Sequence, residues 1–218
     1  MVPEFRDQSP LLFLCGVCKT LGGRPVLRGV DLKMLAGEHV LLCGRNGSGK
    51  STLLSIIAMR LRADSGTIQL RGEALRRIHL SEIGSLAHEP LMHVGLTVHD
   101  NLLWQARMLG ISDAPGRVAV LLDEFGLVEC ADTLVGRLSF GQSRRAALCR
   151  ALAADPSLLL LDEPLDGLDE QGREQVASIL ARRASAGGAT LITTHEPEQF
   201  AEMATRKLML VEGQIIPA

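Results

Sequence analysis

The sequence lacks tyrosine and has few aromatic residues of any kind. Aromatic residues make up 3% of its 218 residues, with one Trp and five Phe. Proteins that bind nucleic acid without sequence preference stack bases on aromatic side chains, and they usually carry a basic excess or a basic stripe. Here 23 Lys and Arg stand against 25 Asp and Glu, which gives a net charge of −2. We therefore expect no nucleic-acid partner.

Disulfide patterns and long hydrophobic runs are also missing. The five Cys are scattered and odd in number, which does not fit a disulfide framework and suits a reducing compartment. No run approaches the roughly 18 apolar residues that a membrane span needs. Glu4, Arg6 and Asp7, instead of a basic segment, precede the first apolar run, which argues against a leader. We expect a soluble chain that contacts a membrane only through partners.

The composition and the pattern along the chain predict one α/β domain. Hydrophobic residues make up 46% and charged residues 22%, values typical of a globular chain. Stretches with strand character occur in both the first and the last third, and amphipathic helical stripes lie between them. We expect one domain over residues 1–218, with a core of about residues 1–87 and 139–218 and a helical insertion of about residues 91–136.

A glycine-rich loop follows the apolar stretch at residues 39–43. It matches the pattern G-x-x-x-x-G-K-[ST] and leads into a predicted helix. The backbone N–H groups of such a loop face one point, and the helix N-terminus adds its positive end, so the loop suits a phosphate group. Lys50 is expected to reach the β- and γ-phosphates, and Ser51 to bind Mg²⁺. The predicted phosphate-binding residues are Gly44, Arg45, Asn46, Gly47, Ser48, Gly49, Lys50, Ser51 and Thr52.

Two adjacent carboxylates, Asp162 and Glu163, follow a run of four leucines at residues 158–161. A continuous apolar run of this length is typical of a central parallel strand, and ligands of open α/β sheets bind at the carboxyl ends of such strands. Asp162 is expected to hold Mg²⁺ opposite Ser51. Glu163 is expected to polarise the attacking water.

A second helix N-terminus is predicted at Ser139, which forms a capping-box pattern with Gln142. Ser139, Gly141 and Gln142 would form a second anion site that has no lysine, built from backbone N–H groups, a hydroxyl and the helix dipole. His195 follows a further strand at residues 189–193 and is expected at the same sheet edge as the carboxylates. Each feature alone is common in structural roles, so only their combination is informative.

In this order and spacing the elements resemble the ATP-binding domain of ABC (ATP-binding cassette) transporters over nearly the whole chain. The glycine-rich loop resembles the family's Walker A motif, residues 158–163 its Walker B motif and residues 138–142 its LSGGQ signature. Residues 166–169 resemble the D-loop, and His195 the switch histidine. The resemblance implies a P-loop NTPase fold with a RecA-like, mainly parallel sheet, an N-terminal antiparallel β subdomain and an inserted helical subdomain.

The resemblance also implies an activity and partners. ATP and Mg²⁺ would bind, Glu163 would activate water, and His195 would contact the γ-phosphate. The signature residues of one subunit would close over the ATP held by a second ATP-binding subunit, and a homodimer is expected. The helical insertion would dock integral membrane permease subunits, which places the chain peripherally at the cytoplasmic face of the inner or plasma membrane.

Three positions depart from the family pattern. Leu21 stands where an aromatic residue commonly stacks on adenine, which leaves apolar contact without stacking. His88 stands where a Gln is usual, and we hypothesise that it takes the catalytic and Mg²⁺-binding role of that Gln; an ordinary loop histidine is the alternative. Phe140 replaces the first signature glycine at a position expected to tolerate it.

The cargo and the cellular role are less closely constrained. The short ends, the missing aromatic residue and the segment His88-Glu89-Pro90 resemble the haem-exporter ATPase subunits of cytochrome c maturation, so haem export is the finer prediction. A soluble ABC ATPase without transport, such as an iron–sulfur cluster assembly factor, is the alternative. A P-loop GTPase is disfavoured because the sequence contains no N-K-x-D element.

Some side chains are expected to be structural. Arg144, Arg145 and Arg150 are expected on a solvated helix face. Trp104 is expected to fill the core of the helical insertion, or else to lie at a groove for a partner.

Overall fold

The computed structural model describes residues 9–217, and these residues form two β-sheets with helices around them. Glu4, Arg6 and Asp7, on which the expectation of no leader depends, lie outside the described residues, as do both ends of the predicted 1–218 domain. The strands in chain order are β1 (Leu12–Leu21), β2 (Arg24–Met34), β3 (His39–Cys43), β4 (Ser65–Leu70), β5 (Glu73–Ala74), β6 (Ile83–Leu86), β7 (Leu158–Asp162), β8 (Ala189–Thr193), β9 (Arg206–Val211) and β10 (Gln214–Pro217). The α-helices are α1 (Lys50–Ile57), α2 (Val98–Met108), α3 (Ala114–Glu124), α4 (Phe140–Leu152) and α5 (Glu170–Ser185).

The two sheets differ in direction. The first has the order β2-β1-β4-β5 and is antiparallel throughout. The second has the order β10-β9-β3-β8-β7-β6; its strands run parallel except β10, which pairs antiparallel with β9. The mainly parallel core and the antiparallel N-terminal sheet confirm the predicted fold class. Because β3, β6, β7 and β8 are parallel, the chain leaves all four strands at one edge of the sheet.

The central strands are buried on both faces, as their continuous apolar sequence predicts. Successive side chains point to opposite faces, so each strand contributes to two cores. One core contains Leu41, Leu159 and Ile192 and continues into the helical insertion. The other contains Leu42 and Leu160 and continues into the antiparallel sheet and α1. The sheet edge that carries the loops is therefore fixed from both sides.

Helices α2 and α3, which lie within the predicted helical insertion, pack against each other and against α4. Apolar residues at helical spacing, including Leu102 on α2 and Leu121 on α3, form the contact and are fully buried. The Thr97 hydroxyl accepts the Asp100 N–H and begins α2, although the reciprocal bond of a full capping box is absent from the described contacts. The division into a core and an insertion at about residues 91–136 stays a prediction. Within the described range, no helix has both the length and the apolar character needed to cross a bilayer.

Two expectations about side chains are wrong. Arg144 and Arg150 do not lie on a solvated face: Arg144 is 4% exposed, and the Arg150 guanidinium donates to the Ser85 carbonyl at 2.7 Å. Their side chains donate to backbone carbonyls in β6, at the end of β7 and in the loop after β6. The sequence of α4 alone does not show these partners. Trp104 is not core filler either, because half of its surface is exposed.

Candidate active site

The loop between β3 and α1 needs glycine for its path. Gly47 and Gly49 have φ values of 79° and 107°, which side chains with a Cβ rarely adopt. A Cβ at Gly49 would also lie 3.0 Å from Val26 Cγ1. Gly49 precedes α1 without any side-chain cap, so the first N–H groups of the helix have no side-chain partner. This arrangement leaves a helix N-terminus available to an anion.

Lys50 is held across this loop and not in solvent. Its side chain is buried, and its ammonium group donates to the carbonyl oxygens of Gly44 at 2.8 Å and Arg45 at 3.4 Å. The Ser48 hydroxyl is buried next to it without a protein hydrogen-bond partner. The loop is therefore closed by its own bonds and still has unused polar groups for a ligand.

The two carboxylates after β7 have different surroundings. Asp162 is 5% exposed, and its Oδ1 accepts the hydroxyl of Thr193, its neighbour in register on β8, at 2.5 Å. Glu163 has φ 48° and is fixed by its N–H, which donates to the Thr193 carbonyl at 3.0 Å. With this backbone conformation the chain no longer continues the extended path of β7 at Glu163, and the Glu163 side chain points toward the loop that follows β8.

Glu163 and His195 form a hydrogen-bonded pair. The carboxylate oxygen Oε2 of Glu163 accepts the His195 N–H at 3.1 Å and lies 2.9 Å from His195 Nδ1. This hydrogen bond, with the negative charge of Glu163, raises the pKa of His195 above its ordinary value. The imidazole is half exposed, so it remains accessible to a ligand beside the carboxylate.

These groups surround one cavity of about 560 Å³. Its lining includes residues 46–52 of the glycine-rich loop together with His88, Asp162, Glu163 and His195. Gly44 and Arg45 do not line it, but their carbonyls hold Lys50. The structure therefore brings together nearly all the predicted residues of the phosphate and carboxylate motifs, including His88.

The signature residues lie elsewhere. Ser139, Gly141 and Gln142 are not part of the cavity lining. The Ser139 hydroxyl accepts the Gln142 N–H at 3.2 Å, and the Gln142 side-chain oxygen accepts the Ser139 N–H at 3.0 Å, which is the predicted capping box. Phe140 is 63% exposed and covers Gly167, where a Cβ would lie 1.9 Å from the aromatic ring.

The cavity residues fit a magnesium ion. Ser51 and Asp162 both line the cavity and offer oxygen atoms, the ligands that Mg²⁺ prefers. Thr193 occupies only Oδ1 of Asp162, and Oδ2 has no donor among the described residues. His88 lines the same cavity and offers nitrogen, which suits contact through a water molecule better than direct ligation.

Sequence reasoning missed three residues of this site. Val26, and not Leu21, is the apolar side chain that lines the cavity; Leu21 is 41% exposed and is not among the lining residues. Thr193 orients Asp162, and Arg144 donates to the carbonyls of Asp162 and Glu163. Helical spacing was a usable signal for Arg144, because Ala147, Leu148 and Ala151, at i+3, i+4 and i+7, are buried with it.

Comparison with known proteins agrees with this arrangement. The sequence profile of the ABC transporter family matches residues 27–166. The chain is 38% identical to Nod factor export ATP-binding protein I of Burkholderia orbicola, over 91% of this chain and 67% of that protein. It is 34% identical to the sulfate/thiosulfate import ATP-binding protein CysA of Salmonella typhi, over 90% of this chain and 57% of that protein. The chain thus spans between about half and two thirds of the length of these relatives.

A solved structure described as the ATP binding subunit of an ABC transporter superposes with a TM-score of 0.87 at 25% identity. The superposition covers 94% of this chain and 88% of that one. Together, the family profile, the relatives and the fold identify this chain as a member of the ABC transporter family, within its ATP-binding domain.

Proposed function

We propose that the chain binds Mg²⁺ and ATP in the 560 Å³ cavity and hydrolyses the nucleotide to power a membrane transporter. The observation that carries the proposal is the meeting of the glycine-rich loop, Asp162, Glu163 and His195 around one cavity at the carboxyl edge of the sheet. The relatives named for export of Nod factor and for import of sulfate or thiosulfate support a transport role for this chain.

The phosphate groups would bind the N-terminal end of α1. Its uncapped N–H groups and the positive end of the helix dipole favour an anion, and Lys50 adds a charge from within the loop. Ser51 and Asp162 would hold Mg²⁺, with His88 as a further contact in place of the family's Gln. When bound, Mg²⁺ supplies positive charge that neutralises the β- and γ-phosphate oxygens.

Glu163 would orient the attacking water and accept its proton. The water oxygen forms a bond to the γ-phosphorus while the bond to the bridging oxygen of ADP breaks, which yields ADP and inorganic phosphate. The Oε2 atom of Glu163 already accepts the backbone N–H of His195 and lies within hydrogen-bond distance of its ring, so the carboxylate is held at the cavity wall. His195 would donate to the γ-phosphate from the same wall.

A second ATP-binding subunit would complete the site. Ser139, Gly141 and Gln142 lie outside the cavity, at a helix N-terminus that presents N–H groups and a hydroxyl at the surface. In a head-to-tail homodimer this second anion site would cover the γ-phosphate held by the partner. The exposed position of Ser139 supports this proposal, because a residue already buried in its own chain would not reach another copy.

A permease subunit would dock at an apolar groove of the helical insertion. The groove has a volume of about 630 Å³, and His93, Val94, Leu96 and Trp104 line it. Val94 is 69% and Trp104 50% exposed, and the indole is held in place by a T-shaped contact with the His93 ring at 5.3 Å. Such a groove fits an amphipathic helix of a membrane protein. Through this contact the chain would lie peripherally at the cytoplasmic face of the inner or plasma membrane.

Haem remains the finer prediction for the cargo and depends on the missing aromatic residue and the segment His88-Glu89-Pro90. The two relatives described above are named for Nod factor and for sulfate or thiosulfate, so they lend it no support. They also disfavour the alternative of a soluble iron–sulfur cluster assembly factor. Co-purification separates the possibilities: recovery with integral membrane proteins supports transport, and recovery with a soluble scaffold contradicts it.

The decisive experiment is Glu163→Gln. We expect phosphate release to fall by about 100- to 1000-fold, since the acceptor of the water proton is lost. Unhydrolysed ATP should hold the variant as a dimer in analytical ultracentrifugation. Glu174→Gln, which changes an exposed carboxylate on α5 away from the cavity, is the matched control and should behave like the parent protein. A Glu163→Gln variant that hydrolyses ATP normally, or stays monomeric at saturating ATP, would contradict the proposal.

A further inference from the structure

Arg144 is a buried cation on α4. Its side chain is 4% exposed, and no carboxylate among residues 9–217 forms a salt bridge with it. Burying an unpaired guanidinium is unfavourable, and burial accordingly lowers the pKa of Arg144. The surrounding structure must therefore compensate with hydrogen bonds.

Those hydrogen bonds go to the backbone of two loops. One terminal nitrogen, Nη1, donates to the carbonyls of Ala87 at 2.8 Å and His88 at 3.5 Å. The other, Nη2, donates to the carbonyl of Asp162 at 2.6 Å and to that of Glu163. The four carbonyls lie where the chain leaves β6 and β7, which are paired neighbours in the parallel sheet.

The planar guanidinium fixes these two loops relative to each other. Its terminal nitrogens are held rigidly in one plane, so neither loop can shift without lengthening bonds on the other side. The constraint matters most at Glu163, whose φ of 48° is disfavoured for a residue with a Cβ. The bond from Arg144 to the Glu163 carbonyl supports that conformation, and the conformation directs the carboxylate toward His195.

We propose that Arg144 is a positioning residue for ATP hydrolysis, which sets the backbone of Glu163 and of His88 relative to α4, the helix that begins with the signature residues. The inference rests on the proposed function, because it assigns Glu163 and His88 to hydrolysis. Arg144 lies one turn after Ser139 on this helix, so a displacement of the second anion site is transmitted directly to the carboxylate loop.

Substitutions at Arg144 should rank by the number of donors they retain. Lys offers one compact ammonium that cannot bridge both loops, and Met offers no donor. Arg150→Met is the matched control: Arg150 is a mostly buried arginine on the same helix, but its described side-chain bond goes to Ser85 within β6 and not to the two loops. Loss of a buried arginine as such should then lower stability in both variants.

The first experiment measures kcat and KM for ATP by phosphate release, with melting temperatures alongside. We expect Arg144→Met to lower kcat by about 100-fold while KM changes by less than about threefold, because a displaced catalytic group costs rate more than binding. Arg144→Lys should lower kcat by about 10-fold. This variant tests the proposal if Arg144→Met does not fold. Arg150→Met should keep kcat within about threefold of the parent. Equal losses of kcat in the Arg144 and Arg150 variants, or an unchanged kcat in Arg144→Lys and Arg144→Met, would overturn the inference.

A second measurement does not depend on turnover. Glu163 raises the pKa of His195, with Asp166 and Glu196 as weaker contributors. An NMR titration of His195 measures this pKa in the parent protein and in each variant. If Arg144 holds Glu163 in place, this pKa falls toward its ordinary value in Arg144→Lys and stays raised in Arg150→Met. A His195 pKa that is unchanged in the Arg144 variants contradicts positioning. Absence of ATP hydrolysis in the parent protein contradicts the proposed function instead, and the two failures are thus distinguishable.

Discussion

The N-termini of α1 and α4 offer the same kind of groups to an anion, but they differ in their caps and in their surroundings. Both present the positive end of a helix dipole and N–H groups of a first helical turn. The α1 terminus follows Gly49, has no side-chain cap and lies at a cavity with the buried Lys50 beside it. The α4 terminus follows the exposed Ser139, and a capping box with Gln142 satisfies the N–H groups of Ser139 and Gln142.

From this difference we predict that the α1 terminus binds phosphate by itself and that the α4 terminus does not. At α1 an anion replaces water at N–H groups that have no competing side-chain acceptor. At α4 an anion must compete with the Ser139 hydroxyl and receives no lysine, so its binding is weak unless another surface supplies further contacts. One strong and one weak half would suit the proposed site shared between two copies.

The largest expected effect tests whether the halves come from different copies. Lys50→Ala should lower hydrolysis by about 100- to 1000-fold, since a positioned cation at the developing charge is lost. Ser139→Asp keeps a good helix cap but repels phosphate, so it should also be inactive. When equal amounts of the two variants pair at random, half of all dimers are heterodimers. Each heterodimer has one intact site out of two, so the mixture should regain about a quarter of the parent activity.

The control for this mixture is Lys50→Ala with a Lys50→Ala, Ser139→Asp double variant, which contains no intact phosphate loop in either copy. Phosphate release should stay at background there. Absence of restoration in the test mixture, when both variants are folded and dimerise, would show that each copy completes its own site. Restoration in the control would mean that Lys50 is not needed for hydrolysis.

A smaller effect separates the two glycines of the loop. Gly49→Ala should destabilise the fold by about 1–3 kcal/mol and weaken ATP binding, because φ is 107° and a Cβ would lie 3.0 Å from Val26. Gly47→Ala meets no atom within 4 Å and should cost only about 1 kcal/mol for its left-handed conformation. Urea unfolding and isothermal titration with ATP check both numbers. An equal loss in the two variants would mean that crowding at Gly49 is unimportant.

Removal of the α4 cap should have a still smaller effect. Ser139→Ala is expected to cost about 1 kcal/mol of unfolding free energy, because the first turn of α4 loses its side-chain acceptor. Binding of ATP to the monomer should not change, since Ser139 lies outside the cavity. Titration of the dilute, monomeric variant with ATP tests this expectation. Weaker binding there would place the α4 terminus at the site of its own copy.

The smallest effect is a dependence of stability on pH. The raised pKa of His195 means that its pair with Glu163 stabilises the fold fully below the ordinary value of 6.5, and that this stabilisation is lost as the pH rises through the raised pKa. The effect is small because the imidazole is half exposed. Melting temperatures of the parent at about pH 6 and about pH 8 should differ by more than those of Glu163→Gln, since Gln carries no charge to raise the pKa. Equal differences would mean that the pair does not exist without nucleotide.

Local patterns in the sequence were sufficient for the framework of the fold and for the phosphate loop. Strands β3 and β8 have the predicted bounds, because continuous apolar runs and flanking glycines encode buried strands locally. The glycine pattern before Lys50 likewise predicts the conformation of the loop between β3 and α1 from local sequence alone. The position of Arg144 was predicted wrongly, because whether a long polar side chain points to solvent depends on which carbonyls lie opposite it. Those carbonyls belong to residues 18 to 57 positions away in the chain.

Residue types and their spacing were enough to predict which groups would bind phosphate and magnesium, because glycine, lysine, hydroxyl and carboxylate groups have this chemistry wherever they lie. The three-dimensional packing, by contrast, was needed to show that Val26 and not Leu21 faces the cavity, that Ser139 stays outside it, and that Arg144 joins two loops. These are distances between residues far apart in the chain, and they follow from the packing of β6, β7 and α4 and not from any local propensity.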